Sequence, residues 1–188
     1  MNRYSSLALT GCALISLLGV SACGGEPATP APAPVSATAA AVFGGTDLAW
    51  IEITVAMDEQ LLPLLDLAPT NSSGPAAKSL FAEVKALHED ELTNLRALHT
   101  EAGLPAENQH KGMPMPGMVT PEQVAEAAPL KGAEFDTFVA EKLKAHFDQG
   151  VNLAGSEGKA GVEPRTRALA EKVISSRRTY LARLGEIS

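Results

Sequence analysis

Aromatic residues make up only 4% of the chain, and cysteine occurs just twice, as Cys12 and Cys23. So few large rings mean that the interior is built from aliphatic side chains, which are plentiful at 45% hydrophobic residues. Two cysteines near the start exclude a disulfide scaffold and a Cys-ligated zinc protein. Basic residues are also scarce: 15 Lys and Arg face 22 Asp and Glu, a net charge of -7. With no basic excess to displace phosphate counterions, nucleic acid is excluded as a partner. No Gly-x-Ser-x-Gly turn, phosphate-cradling loop or reactive thiol is present, so nucleophilic catalysis and nucleotide hydrolysis lack their parts and no enzyme is expected. At 188 residues the chain can bury one modest core.

Long apolar runs are missing except at the beginning. Arg3 gives a short positive start, and Leu7 to Val20 form an apolar stretch too brief to span a bilayer, the pattern of a bacterial export signal. The stretch ends at Val20-Ser21-Ala22-Cys23, which resembles the lipobox of bacterial lipoproteins. Residues 1–22 are therefore expected to be a signal peptide and Cys23 an acylated N-terminus. That anchors the protein to the outer face of the cytoplasmic membrane. Leu9-Thr10-Gly11-Cys12 has a similar look but would leave almost no apolar segment after Arg3. Buried acyl chains contribute about 0.8 kcal/mol per methylene, so two or more hold a protein on a membrane without a spanning helix. Residues 23–45 are rich in Ala, Pro and Thr, with Pro27, Pro30, Pro32 and Pro34 spaced through them, and read as a disordered tether.

The remainder, 46–188, carries an internal repeat. At an offset of 89 residues Asp47 matches Asp136, Glu52 matches Glu141, Ala56 matches Ala145, and Gln60 matches Gln149. Pro75/Pro164, Leu80/Leu169, Val84/Val173 and Leu95/Leu184 keep the same register. The repeats, about 47–98 and 133–185, each read as two helices, joined by a Met-bearing linker over 103–132.

In the first helix Leu48, Ile51, Val55, Leu62 and Leu65 recur at steps of three and four if Asp58 fills the missing place. Thr46 or Asp47 can cap its start, and Pro63 is expected to kink it or end it near Leu62. Ser73 and Pro75 announce the second helix, with Leu80, Val84, Leu87, Leu95 and Leu98 on one stripe and a stop near Gly103. The third carries Phe135, Val139, Leu143 and Leu153 and is expected to break across Gly155–Gly161. The last starts at Pro164, with Leu169, Val173, Tyr180 and Leu184 inward. Thr120-Pro121-Glu122-Gln123 reads as a capping box opening a short linker helix to about Ala128. Each hairpin has an apolar stripe that it cannot cover alone, so the expected fold is all-α: a four-helix bundle of two antiparallel hairpins.

The lipobox, the Pro/Ala tether and tandem hairpins joined by a Met-bearing loop resemble the bacterial exported family called domain of unknown function 305, which is ferritin-like. The stretches that carry the likeness are Gly132-Ala133-Glu134-Phe135-Asp136, followed by His146, Asp148 and Leu153-Ala154, and the linker from His110 to Thr120. The resemblance implies a ferritin-like bundle. Typical members carry a His-His pair on the first helix of each repeat, with methionines around it, and some are implicated in binding copper. Here His146 holds the first place of the second pair and Phe147 the other, while Met57 and Asp58 stand in the first repeat.

The linker keeps His110, Met113, Met115 and Met118 within nine residues. Thioether sulfur suits Cu(I), and a loop can wrap an ion that tolerates irregular geometry. A second, weaker candidate set is Asp58, His88, Glu91 and His146. His88 and Glu91 lie one helical turn apart and can face Asp58 or Glu52 across the first hairpin, although His88-Glu89-Asp90-Glu91 also reads as a mostly solvated acidic face. An inward Asp58 needs a cation, and Arg177 would serve as well as a metal. Two functions follow as expectations: a lipid-anchored extracytoplasmic protein that binds or buffers copper, or a metal-free envelope interaction module on the same scaffold.

Overall fold

The computed structural model describes residues 42–185; the signal peptide, Cys23 and all but the end of the tether lie outside them. Six helical segments follow one another: α1 (Gly45–Leu65), α2 (Ala68–Asn71), α3 (Pro75–Glu101), α4 (Pro121–Ala127), α5 (Gly132–Ala160) and α6 (Pro164–Leu184). The four long ones pack as a bundle, and no helix is long and apolar enough to cross a membrane among the described residues.

Ion pairs between neighbouring helices fix their directions. Asp66, capping the end of α1, and Glu59 within it meet Lys85 and Arg96 of α3, so these two run antiparallel. Glu83, Glu91 and Glu101 of α3 meet Arg183, Arg177 and Arg165 of α6, again antiparallel. α5 opposes both α1 and α6, because Asp47 reaches the turn after α5 while Asp58 reaches His146. α3 and α5 consequently point the same way, and the chain from 102 to 131 must travel the length of the bundle to join them. It runs over α1 and α5: Asn108 Nδ2 donates to the Glu52 carbonyl, Gln60 Nε2 to Met118 Sδ, and Asn71 Nδ2 to the Ala128 carbonyl. One long crossover in an otherwise simple bundle is a ferritin-like connectivity.

The apolar stripes meet as expected, with Ile51, Val55, Leu80, Val84, Val139, Leu143 and Val173 all buried. Thr120 caps α4 with the reciprocal capping box read from its sequence. Elsewhere the boundaries move. α1 starts after Gly44, and Asp47 acts three residues inside, its carboxylate accepting the Gly44 N–H at 2.6 Å. Phe43 already packs on the core, so the folded part begins before residue 46. Pro63 does not end α1 at Leu62; it sits in the last turn with its ring exposed, where a proline removes one bond and little else. The expected break across Gly155–Gly161 is absent, and α5 continues to Ala160. Its end is buried through Ala154 and Glu157, and packing outweighs the weak helix propensity of Gly155 and Gly158.

The core is divided. One large apolar cluster gathers Leu61, Leu64, Phe81, Val84, Phe135 and Leu143; the other large one gathers Trp50, Ile51, Val55, Leu92, Leu95 and Val173; and a small third holds Ala56, Met57 and Met118. Between the two large clusters, at mid-height, every long helix contributes polar side chains.

Candidate metal centre

The middle layer holds Asp58 from α1, His88 and Glu91 from α3, His146 from α5 and Arg177 from α6, none more than 5% exposed. Asp58 occupies a core step of the α1 stripe, as its spacing implied. The solvated-face reading of residues 88–91 is corrected in half: Glu89 and Asp90 face solvent, whereas His88 and Glu91, three apart, share the inward face.

Backbone carbonyls set the two imidazoles. His88 Nδ1 lies 2.7 Å from the Val84 carbonyl and His146 Nδ1 lies 3.1 Å from the Gly117 carbonyl. A carbonyl only accepts, so each Nδ1 carries the hydrogen and each neutral ring keeps its lone pair on Nε2. Those Nε2 atoms face each other at 3.2 Å. Asp58 Oδ1 stands 3.4 Å from the His146 nitrogen and 3.8 Å from that of His88. Three acceptors thus converge without a hydrogen between the two nitrogens. A point equidistant from atoms so spaced lies about 2.0 Å from each, the usual length of a zinc–imidazole or zinc–carboxylate bond. Holding Nδ1–H on a carbonyl is also how metal-bound histidines are oriented. Asp58, His88 and His146 form such a group of potential ligands among the described residues.

Electrostatics keep both rings neutral. Burial, and then the nearby guanidinium of Arg177, hold His88 well below 6.5 and His146 at about 3. Burial pushes Asp58 up to about 6 against the pull of Arg177. Glu91 rises to about 8 through burial and the Asp58 charge. The closeness of the two carboxyls lowers Asp58 and raises Glu91, so of the two Glu91 is the better holder of a proton. Arg177 Nη2 donates to Glu91 Oε1 at 2.9 Å and reaches Asp58 Oδ1 at 3.5 Å. Its guanidinium carbon lies 5.4 Å from the Phe147 ring centre, while Nε and Nη1 have no partner.

The linker ligands are placed differently. Met118 is buried at 5% exposure and packs with Met57 and Met115, whereas Met113 is exposed at 46%. His110 is half-buried, with Nδ1 enclosed and unpartnered and its N–H bound to the Asn108 side chain. Three thioethers, those of Met57, Met115 and Met118, therefore share one apolar cluster that Met113 and His110 do not join.

Gly117, between Met115 and Met118, is the functional residue that sequence reasoning missed. Its φ is +75°, and a Cβ would come within 2.7 Å of the Ala145 carbonyl oxygen and of Gln149 Cβ. Glycine is thus required both by the left-handed backbone and by the close approach that puts its carbonyl on His146. The signal was a glycine after proline inside a methionine-rich loop, which by itself indicates only a turn.

Two solved structures share the fold. A secreted protein from Streptomyces coelicolor superposes with a TM-score of 0.69 at 14% identity, covering 76% of this chain and 91% of its own. A fragment from Deinococcus radiodurans gives 0.68 at 14% identity, covering 77% and 96%. Both are described as domain of unknown function 305 proteins. No curated protein matches the sequence. The model of that family, "Domain of unknown function (DUF305)", matches residues 47–188, all four long helices and the crossover with them, and the chain belongs to this family.

Proposed function

We propose that this is a lipid-anchored extracytoplasmic protein that holds copper(I) between His88 Nε2, His146 Nε2 and Asp58 Oδ1. The observation that carries the reading is the pair of imidazoles whose Nδ1–H groups are committed to carbonyls, leaving two lone pairs face to face beside a carboxylate oxygen. Charge counting favours a monovalent ion: one Cu(I) that displaces the proton held by Glu91 leaves Asp58, Glu91, Arg177 and the ion neutral together. Met115 and Met118 line a recess beside Ala145, one residue from His146, outside the three-ligand site itself. A closed three-ligand site with its donors buried serves binding rather than turnover, consistent with a non-enzymatic protein. Anchoring through Cys23 rests on the lipobox, and an extracytoplasmic place accords with the secreted Streptomyces relative.

The test is chelator competition for Cu(I), and for Zn(II), by the lipid-free Cys23→Ser protein. The expected result is tight Cu(I) binding that falls by about 100-fold or more in His88→Asn and His146→Asn and changes little in a Met113/Met115/Met118 triple alanine variant. The reverse pattern would move the site to the linker, and no competition for either ion would reject the proposal.

One observation favours a metal-free interaction module: the Arg177 guanidinium already supplies a cation to Asp58 and Glu91. Elemental analysis of protein purified from its native envelope separates the two readings.

A further inference from the structure

At the end of the bundle where the N-terminal chain arrives, Asp47 is fully buried and its carboxylate gathers three backbone amides. Gly44 N–H donates at 2.6 Å, Val162 N–H at 3.1 Å and Glu163 N–H at 3.1 Å. One carboxylate therefore joins the start of α1 to the turn between α5 and α6. Behind it lies Glu157, also fully buried, with both oxygens lacking a donor. Its carboxyl is wedged against Gly161, where a Cβ would fall 1.9 Å from Oε1, and the hydrogen-bonding group that it reaches is Asp47. Two carboxylates are both acceptors, so this contact exists only while one of them carries a proton. Asp47, already holding three amides, is the better anion, which leaves the proton on Glu157.

The 89-residue offset supplies an internal comparison. Asp136, the equivalent of Asp47, binds the amide and the hydroxyl of Ser73 at the opposite end. A hydroxyl donates at any ordinary pH, whereas a glutamic acid donates only while protonated. We propose that Asp47 and Glu157 form a proton-dependent fastening that ties the α5–α6 turn to the start of α1, while the Asp136–Ser73 fastening at the far end needs no proton shared between carboxyls.

Other charges near the pair are already engaged. Glu163 caps α6 through Thr166 and pairs with Arg165, which also holds Glu101 of α3, and Arg167 donates to the Gly158 carbonyl. Arg167 is near enough for its charge to lower Glu157, but among the described residues no cation hydrogen-bonds to either carboxyl. Burial and the Asp47 charge push Glu157 up to about 8. Its folded value exceeds its unfolded one, so the contribution is complete below about 4.5 and is lost as pH rises through about 8.

Hydrogen exchange of the mature protein, corrected for intrinsic rates, tests this at about pH 6 and about pH 9. Protection of the Val162 and Glu163 amides is expected to fall by about tenfold or more, while that of Ser73 holds. In Glu157→Gln, whose amide donates without titrating, the pH effect disappears. Carboxyl carbon resonances of the unsubstituted protein read Glu157 directly, should that variant fold poorly. The proposal is overturned if Glu157 titrates in the ordinary carboxylate range, if both ends lose protection alike, or if the Gln variant keeps the pH effect.

Discussion

Asp47 and Asp136 are 89 residues apart, and each holds the turn that belongs to the other half of the molecule. Asp47 takes the amide of Val162, before α6; Asp136 takes the amide of Ser73, before α3; and Val162 and Ser73 are themselves 89 residues apart. The hairpins are thus cross-fastened, one carboxylate at each end. Removing Asp136 leaves a part-buried amide at Ser73 without its acceptor, and removing Asp47 leaves part-buried amides at Gly44 and Val162 and a buried one at Glu163. Asp136→Ala is expected to lower unfolding free energy by about 1–3 kcal/mol and Asp47→Ala, which frees three amides, by about 3 kcal/mol or more, read by urea denaturation. Equal and negligible losses would mean that the turns hold without these carboxylates.

Acid should act on the same residue. Although burial raises Asp47, its bonds with Glu157 and the three amides outweigh that and leave it below 3.8. A lowered folded value gives stability that is present above the unfolded value and lost as pH falls through the folded one. The slope of stability against pH below about 4 should therefore flatten in Asp47→Asn, and an unchanged slope would contradict the assignment.

Gly117→Ala adds a Cβ where the backbone φ is positive and the Ala145 carbonyl is 2.7 Å away. The crossover must lift from α5, and His146 loses the acceptor of its Nδ1–H. Nitrogen-15 spectra of the metal-free variant should show His146 passing from one tautomer to a mixture, with His88 unchanged. A purely structural glycine would lower stability without that spectral change.

Arg177 offers a different discrimination. Its loss strands two buried carboxylates, so Arg177→Met should cost about 3–5 kcal/mol in metal-free protein. If a cation can occupy the layer, Cu(I) should raise the melting temperature of this variant more than that of the parent. No Cu(I)-dependent shift in either protein would favour the metal-free module.

The helical glycines separate by surroundings. Gly155 and Gly158 have open space where a Cβ would go, and alanine at either should stabilise α5 by about 0.5–1 kcal/mol. Gly161→Ala should destabilise, since its Cβ would meet the Glu157 carboxyl. Thermal melts of the three variants check both signs.

Much of this arrangement could be read in the sequence because it is periodic. The stripe through Ile51, Val55 and Leu65 required something at position 58, and so located Asp58 inside before any partner was known. The capping box at Thr120 was equally local. His88 and Glu91 were harder: among Glu89, Asp90 and other charges, only the neighbouring α6, which brings Arg177, turns one face of that segment inward. The tautomers of His88 and His146 depend on a carbonyl one turn back and on another 29 residues away, and no spacing rule foretells the second. Gly155 and Gly158 misled because helix propensity is worth under about 1 kcal/mol per residue, less than a buried helix end gains by packing.

The crossover exists because α3 and α5 point the same way, and α3 alone is about 40 Å long. Its course over α1 and α5 leaves each hairpin built from sequence neighbours, with the strap lying outside them. A protease that cut beside the exposed Met113 would sever the strap without touching a long helix, and the halves, clasped at both ends by their exchanged carboxylates, would remain one particle. The protein could on this basis be assembled from two separately made chains.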